Sequence, residues 1–274
     1  MDYPLFIIYS FVFIFGSLVG SFLNVCIWRM PREESIISPG SHCPKCNHSI
    51  KWYDNIPLVS LILLKAECRY CKAGISFRYF LIELLTASLF VLFFYYFRTD
   101  LPRFFIYIAV VSSLIAATFI DFDYQIIPDE ITLGGLAAGI IVSLVYPYLH
   151  QTPFLFESWP LWRRIGYSGF QSVLGALAGG GSIYLIGVAG TLAFKKESMG
   201  GGDVKLMAML GAFMGWKMVL LTFFIAPFFG SVVGIIMKIK TKAEIMPYGP
   251  YLSLAAIISM IWGQEILSYF FSIG

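Results

Sequence analysis

Long apolar runs broken by short polar stretches fill most of the chain. A helix crossing the hydrocarbon core of a bilayer needs ~20 apolar residues, and away from water only helices or closed barrels satisfy their own backbone groups. Seven runs reach that length, at approximately 5–28, 78–97, 102–120, 131–149, 168–194, 218–237 and 251–271; a shorter run at 204–216 makes an eighth. The pattern predicts an all-α polytopic membrane protein of about eight transmembrane helices. The first run has no basic stretch before it, and Asp2 is its only early charge, so it reads as a retained anchor and not as a cleaved signal.

Composition agrees. Hydrophobic residues make up 58% of the chain and charged residues 13%, where a soluble domain carries about 25% charge. The formal net charge of +3 is spread thinly between apolar runs. No basic cluster follows any stretch of chain, which excludes a nucleic-acid partner on electrostatic grounds.

Lysine and arginine decide orientation, because short loops rich in them stay on the cytoplasmic side. With residues 29–78 in the cytosol, that side collects Arg29, Arg32, Lys45, Lys51, Lys65, Arg69, Lys72, Arg78, Lys195, Lys196, Lys205, Lys238, Lys240 and Lys242. The other side keeps Arg98, Arg103, Arg163, Arg164 and Lys217. Both termini then lie outside, and segments 121–130 and 195–203 share the cytosolic face. The expected organisation is a first transmembrane helix over 1–28, a cytosolic loop module over 29–76 and a membrane domain over 77–274.

Cys43-Pro-Lys-Cys46 and Cys68-Arg-Tyr-Cys71 are two Cys-x-x-Cys pairs, a spacing that lets four thiolates close around Zn²⁺. Asn47 and Gly74 can supply the turns such knuckles need. Two disulfides are the alternative, which a reducing cytosol disfavours. Four cysteines fill a tetrahedron and leave no position for water, so the ion reads as structural and supplies folding energy to a stretch too short for its own core. His42 and His48 could replace a thiolate, but the blander reading is surface imidazoles beside the knuckles. Cys26 falls inside the first run and reads as a small apolar side chain.

Ionisable groups at membrane depth are costly and mark functional candidates. Asp121 and Asp123 end the third run, Pro128-Asp129-Glu130 opens the fourth, and Asp203 follows Gly200-Gly201-Gly202. Glu83 lies one turn into the second run, where an interfacial or helix-bonded charge is the simple explanation. Asp129 fits an N-cap, with Glu130 near the positive helix end. Asp203 could also be a cap. Three glycines are more freedom than a cap requires, however, and let an extended peptide approach the backbone. Aspartyl hydrolysis needs two carboxylates that share one proton. Asp121 and Asp203, at helix ends beside one face, are the expected pair, with Asp123 the rival for the first role. The helix N-terminus at Asp203 favours its ionised form, which would make it the base and Asp121 the donor.

These residues resemble the type IV prepilin peptidases, bacterial inner-membrane aspartyl proteases of the Gly-x-Gly-Asp class. The resemblance spans nearly the whole chain. It includes Gly20-Ser21-Phe22-Leu23-Asn24-Val25 leading to Arg29-Met30-Pro31, and the cysteine pairs flanking Trp52-Tyr53-Asp54-Asn55-Ile56-Pro57. It continues through Asp121 to Pro128-Asp129, Gly200-Gly201-Gly202-Asp203-Val204-Lys205, and Met246-Pro247-Tyr248-Gly249-Pro250. It implies that Asp121 and Asp203 are catalytic, with Gly200, Gly202, Lys205, Pro128 and Asp129 as supporting motif residues. It further implies cleavage of a basic leader from type IV prepilins or type II secretion pseudopilins at the cytosolic membrane face. Many members then methylate the new N-terminus with S-adenosylmethionine, whose site no glycine-rich fingerprint reveals. Asn24, Trp52, Tyr53, Asp54 and Asn55 are site candidates on the resemblance alone.

A substrate whose helix lies in the bilayer calls for a lateral opening. Gly175, Gly179, Gly180 and Gly181 allow a bend there or, equally, close helix packing. Two other classes compete: a transporter using the acids as a proton or ion relay, and a non-enzymatic scaffold held by the metal loop.

Overall fold

The computed structural model describes residues 4–150, 156–195, 199–240 and 247–271. Asp2, Lys196, Lys242 and Met246, used in the reading above, lie outside them. The described chain is helical: α1 (Leu5–Arg29), a short α2 (Val59–Leu63), α3 (Phe77–Phe97), α4 (Leu101–Tyr124), α5 (Asp129–Val145), α6 (Leu161–Phe194), α7 (Gly201–Lys240) and α8 (Gly249–Phe271). No strand occurs among the described residues beyond two isolated bridges, His42 with Ser49 and Glu67 with Gly74.

Among the described residues, six helices are long and apolar enough to cross a membrane. The expected eight differ from this count for two reasons. With 17 residues, α5 rises about 26 Å, at the short end of the lengths that cross a bilayer, and is not among the six. The runs at 204–216 and 218–237 are merged into α7, which is broken at Gly215, where φ 75 and ψ 169 lie outside helical space. Only glycine holds that backbone readily.

The chain divides into two compact units, Met1–Ile120 and Asp121–Gly274. In the first, α1 meets α3 through small residues. A Cβ on Gly16 would lie 2.8 Å from Ala87 Cα, and one on Gly20 would lie 2.7 Å from Glu83 Cα. The Ser76 hydroxyl caps α3 by accepting from the Arg78 N–H. The Arg78 guanidinium in turn donates to the Phe119 carbonyl at 2.9 Å.

In the second unit, α7 is the central helix, packed by α5, α6 and α8. The seam with α6 is backbone on backbone: a Cβ on Gly175 would overlap the Gly211 carbonyl, and one on Gly179 the Met207 carbonyl. Gly180 faces Ala208, whereas Gly181 meets nothing within 4 Å. Gly175, Gly179 and Gly180 serve close packing along α6, the blander of their two expected roles.

Candidate active site

Asp121 sits near the C-terminal end of α4. That helix closes at Gln125, whose φ of 55 is left-handed and whose N–H reaches the Asp121 carbonyl at 3.0 Å. The chain then runs through Ile126 and Ile127 to Pro128, the N-cap of α5. Proline forbids helix at the residue before it and presets the φ of the next turn, which keeps α4 and α5 separate. The Asp121 carboxylate is 6% exposed. Its Oδ2 accepts the backbone N–H of Gly249, the first residue of α8, at 3.0 Å.

Asp203 enters from the other side of the unit, in the first turn of α7, 8% exposed. Its N–H donates to the Gly200 carbonyl at 3.1 Å. Ile127 joins the two acid-bearing segments. A Cβ on Gly202 would lie 3.2 Å from Ile127 Cβ, and one on Gly249 would lie 3.2 Å from Ile127 Cδ1. The negative charge of Asp121 acts on Asp203. Two acids far apart in sequence are thus brought into one buried, electrostatically coupled site. Gly200 and Gly201 are exposed, and above Gly201 there is open space.

Neighbouring residues divide clearly. Asp123 is exposed. Asp129 is the first helical residue of α5 and not its N-cap, because Pro128 holds that place without a side-chain cap bond. Its carboxylate instead pairs with Lys205 Nζ at 2.6 Å, so the expected cap is an inter-helix ion pair. Glu83 is bonded to a neighbour, accepting the Leu58 N–H at 2.7 Å. Asp203 no longer stands alone at a helix N-terminus, since Asp121 takes the first N–H of α8. The dipole argument for making Asp203 the base does not distinguish the two.

Two contributors went unassigned in the sequence, Tyr248 and Gly249. Burial, then the charge of Asp203, pushes the Tyr248 hydroxyl up to about 12. Gly249 has space only for hydrogen next to Asp121. Their one signal was the Pro247-Tyr248-Gly249-Pro250 motif, which carries no chemistry by itself.

The four paired cysteines form the second constellation. Their Sγ atoms lie within 4.8 Å of one another, and those of Cys43 and Cys71 are 3.8 Å apart. Thiolates about 2.3 Å from a tetrahedral ion are themselves separated by about 3.8 Å, so the set fits a metal such as zinc. The two knuckles are alike. Asn47 N–H returns to the Cys43 carbonyl at 2.8 Å and Lys72 N–H to the Cys68 carbonyl at 3.0 Å. Asn47 and Lys72 are both left-handed, φ 53 and 57; Gly74, expected to supply the second turn, is not. Backbone N–H groups of Cys46 and Lys45 draw the Cys43 thiol down to about 6, and those of Cys71 and Tyr70 lower Cys68. Cys46 goes the other way, to about 11: the His48 N–H lowers it, but desolvation and the neighbouring thiols of Cys71, Cys43 and Cys68 prevail. A cation among the four removes that conflict. His48 stacks on Tyr70 with ring centres 3.6 Å apart, and His42 Nδ1 contacts the Gly40 carbonyl at 3.2 Å; neither belongs to the thiol cluster.

Known proteins resemble this chain along most of its length. Residues 14–97 match the bacterial peptidase A24 N-terminal domain and residues 108–235 the type IV leader peptidase family. Similar curated proteins bear the name prepilin leader peptidase/N-methyltransferase. One from Myxococcus xanthus is 40% identical over 87% of this chain and 65% of its own length, so this chain spans about two thirds of that relative. One from Aeromonas salmonicida is 34% identical over 96% of this chain and 94% of its own. One from Pseudomonas aeruginosa is 33% identical over 92% and 89% respectively. No solved structure matches the chain. With a relative 34% identical over 96% of this chain and 94% of its own length, and with residues 108–235 matching the family itself, the chain belongs to the type IV leader peptidase family.

Proposed function

We propose that the chain removes the leader peptide from type IV prepilins or pseudopilins and methylates the new N-terminus, with Asp121 and Asp203 as its catalytic carboxylates. The observation that carries the assignment is the burial of these two acids, from distant segments, about the shared neighbour Ile127. Like charges at close range hold one proton between them. The ionised member takes a proton from water, whose oxygen attacks the scissile carbonyl carbon. The protonated member donates to the carbonyl oxygen. Collapse of the tetrahedral intermediate breaks the C–N bond, and the leaving nitrogen takes up a proton as the new N-terminal amine.

The protein is a multi-pass bacterial inner-membrane enzyme. The excess of lysine and arginine favours the cytosolic side for the acid pair and the outer side for both termini. Residues 29–76 act as the metal-held module and 77–274 carry the peptidase chemistry, with Gly200, Gly202, Lys205, Pro128 and Asp129 supporting the acids. Zinc fits the four-cysteine set and has a structural role, since the thiolates leave no coordination site for water. S-adenosylmethionine is the methyl donor. A transporter relay is not favoured, because the acids stand at helix ends and transport sites cluster near the bilayer midplane.

The test is leader cleavage by purified protein on a prepilin substrate. Asp121→Asn and Asp203→Asn should each abolish cleavage while thermal stability and metal content hold. Retained cleavage in both variants rejects the assignment. Retained cleavage in Asp121→Asn alone, with loss in Asp123→Asn, would move the first role to Asp123.

A further inference from the structure

The short helix α2 is built inside out for a segment in water. Its buried residue is the polar Ser60, whereas Val59, Ile62 and Leu63 are 45%, 68% and 71% exposed. A helix on a solvated surface turns its apolar side inward and its polar side outward. The reverse arrangement belongs to a helix with apolar surroundings.

Two spans measure how deep this segment lies. Glu83 Oε2 accepts the N–H of Leu58, the N-cap of α2, at 2.7 Å. On α3, Glu83 comes six residues after Phe77, about 9 Å along the helix axis. On α1, a Cβ on Gly20 would lie 2.7 Å from Glu83 Cα, and Gly20 precedes the helix end at Arg29 by nine residues, about 13 Å. The 21 residues of α3 rise about 31 Å and match the ~30 Å hydrocarbon core, so Phe77 marks its edge. Even with the Glu83 side chain leaning back toward the N-terminus of α3, Leu58 is held several ångströms beneath that edge. A carboxylate within a span needs a reason to persist, and anchoring this loop is one.

The backbone around α2 is closed, as an apolar medium demands. The Val59 N–H reaches the Pro57 carbonyl at 2.7 Å and the Ser60 N–H that of Ile56 at 2.9 Å. Leu58, between them, has φ 63 and ψ −38, a strained γ-turn that aims its own N–H at Glu83. At the other end Leu64, Lys65 and Ala66 donate to the carbonyls of Ser60, Ile62 and Leu61 at 2.9, 3.1 and 2.8 Å. Lys65 and Ala66 are both left-handed, φ 53 and 56, and turn the chain back at once toward Cys68 and the second knuckle. The segment thus goes in, forms one short helix and comes out.

Lipid is the surrounding that this surface fits. Leu81, Leu84 and Leu85 of α3, within two residues of Glu83, are exposed as well, as lipid-facing residues of a span are. Residues 55–64 carry no ionisable side chain, and Lys51 and Lys65, exposed on either side, can reach the headgroups with their ammonium groups. We propose that the loop between α1 and α3 is re-entrant, with α2 sunk into the leaflet on the loop's side and Val59, Ile62 and Leu63 against lipid acyl chains. The tetracysteine knuckles, entered directly from Lys65 and Ala66, are then held at the membrane surface and do not stand free above it.

The experiment uses the full chain in nanodiscs of phosphatidylethanolamine and phosphatidylglycerol, doped with a phospholipid that carries a diazirine in the middle of one acyl chain. After irradiation, adducts are located by residue with fragment mass spectrometry, and hydroxyl-radical footprinting is run on the same nanodiscs. Val59, Ile62 and Leu63 should take acyl label to within about threefold of Leu81, Leu84 and Leu85, and at least about tenfold above the exposed knuckle residues Lys45 and Lys72, as residence within the hydrocarbon requires. Acyl label at Val59, Ile62 and Leu63 no higher than at Lys45 and Lys72 would overturn the proposal. In that event oxidation of Ile62 and Leu63 by the radicals would show that water covers α2, and protection from both reagents would show that a second copy or another protein segment does.

Discussion

Gly249→Ala is a one-carbon change that tests how the first acid is held. The new Cβ would lie 2.7 Å from Asp121 Oδ2 and 3.2 Å from Ile127 Cδ1. A carbon and an oxygen pack at about 3.3 Å, so the carboxylate has to retreat by roughly 0.6 Å; the Ile127 methyl can turn aside. A retreat of that size stretches the 3.0 Å bond from the Gly249 N–H toward the limit at which it counts as one. A hydrogen bond to a charged group contributes about 1.5–3 kcal/mol. If its loss is felt in the transition state, kcat for leader cleavage falls roughly ten- to a hundredfold. The assay is prepilin cleavage by purified protein, with thermal stability as the control for folding. Gly134→Ala is the matched comparison, because nothing lies within 4 Å of its Cβ and alanine is the better helix former; it should cleave normally. Cleavage by Gly249→Ala within twofold of wild type, in a folded protein, would refute the claim that this backbone N–H positions Asp121.

Three further outcomes are expected. Gly211→Ala forces a methyl group onto the Gly175 carbonyl, and because backbone cannot turn aside it should destabilise the protein by about 1–3 kcal/mol; Gly181→Ala, facing open space, should be silent in the same thermal melts. Lys205→Ala removes an ion pair whose side chains are 41% and 56% exposed, so it should cost less than about 1 kcal/mol, and the wild-type advantage should shrink in high salt. Purified protein should carry one zinc per chain by elemental analysis, released by chelators and increasingly as pH falls, because protons compete for the thiolates; Cys43→Ser should lose the ion, with structural loss in residues 29–76 preceding any loss of cleavage.

The local patterns were readable because their causes are local. Apolar length specifies a membrane helix whatever it packs against, and two Cys-x-x-Cys pairs specify a tetrahedral cluster through two short spacings. Charge and depth made the acids at 121 and 203 the expected pair with Asp123 as rival; only the fold shows that Asp121 is buried and Asp123 exposed. What stayed hidden depends on contacts between remote segments. Nothing near Gly249 announces that its N–H will meet Asp121, 128 residues away. Asp129 has an N-cap's sequence context, but Pro128 holds the cap and Lys205 claims the carboxylate. Gly74 looked like the turn residue of the second knuckle, yet Lys72 takes the left-handed backbone, because the knuckle's returning N–H fixes which position must turn.

The second unit shows why one residue type cannot be read from sequence alone. Gly175 and Gly211 let two helix backbones touch, Gly215 breaks a helix that would otherwise run straight through, and Gly249 gives an acid its hydrogen-bond donor without filling the donor's space. In the first two roles the missing side chain lets backbones meet or turn; in the third it leaves room for a carboxylate. The acid at 203 is carried on α7, whose placement against α6 depends on the Gly175–Gly211 approach. The acid at 121 is held by α8, which packs on the same helix. Prising α6 from α7 should therefore disturb the acid pair from a distance, and a stability loss in Gly211→Ala without any change in the pH profile of cleavage would show that the seam and the site are energetically separate.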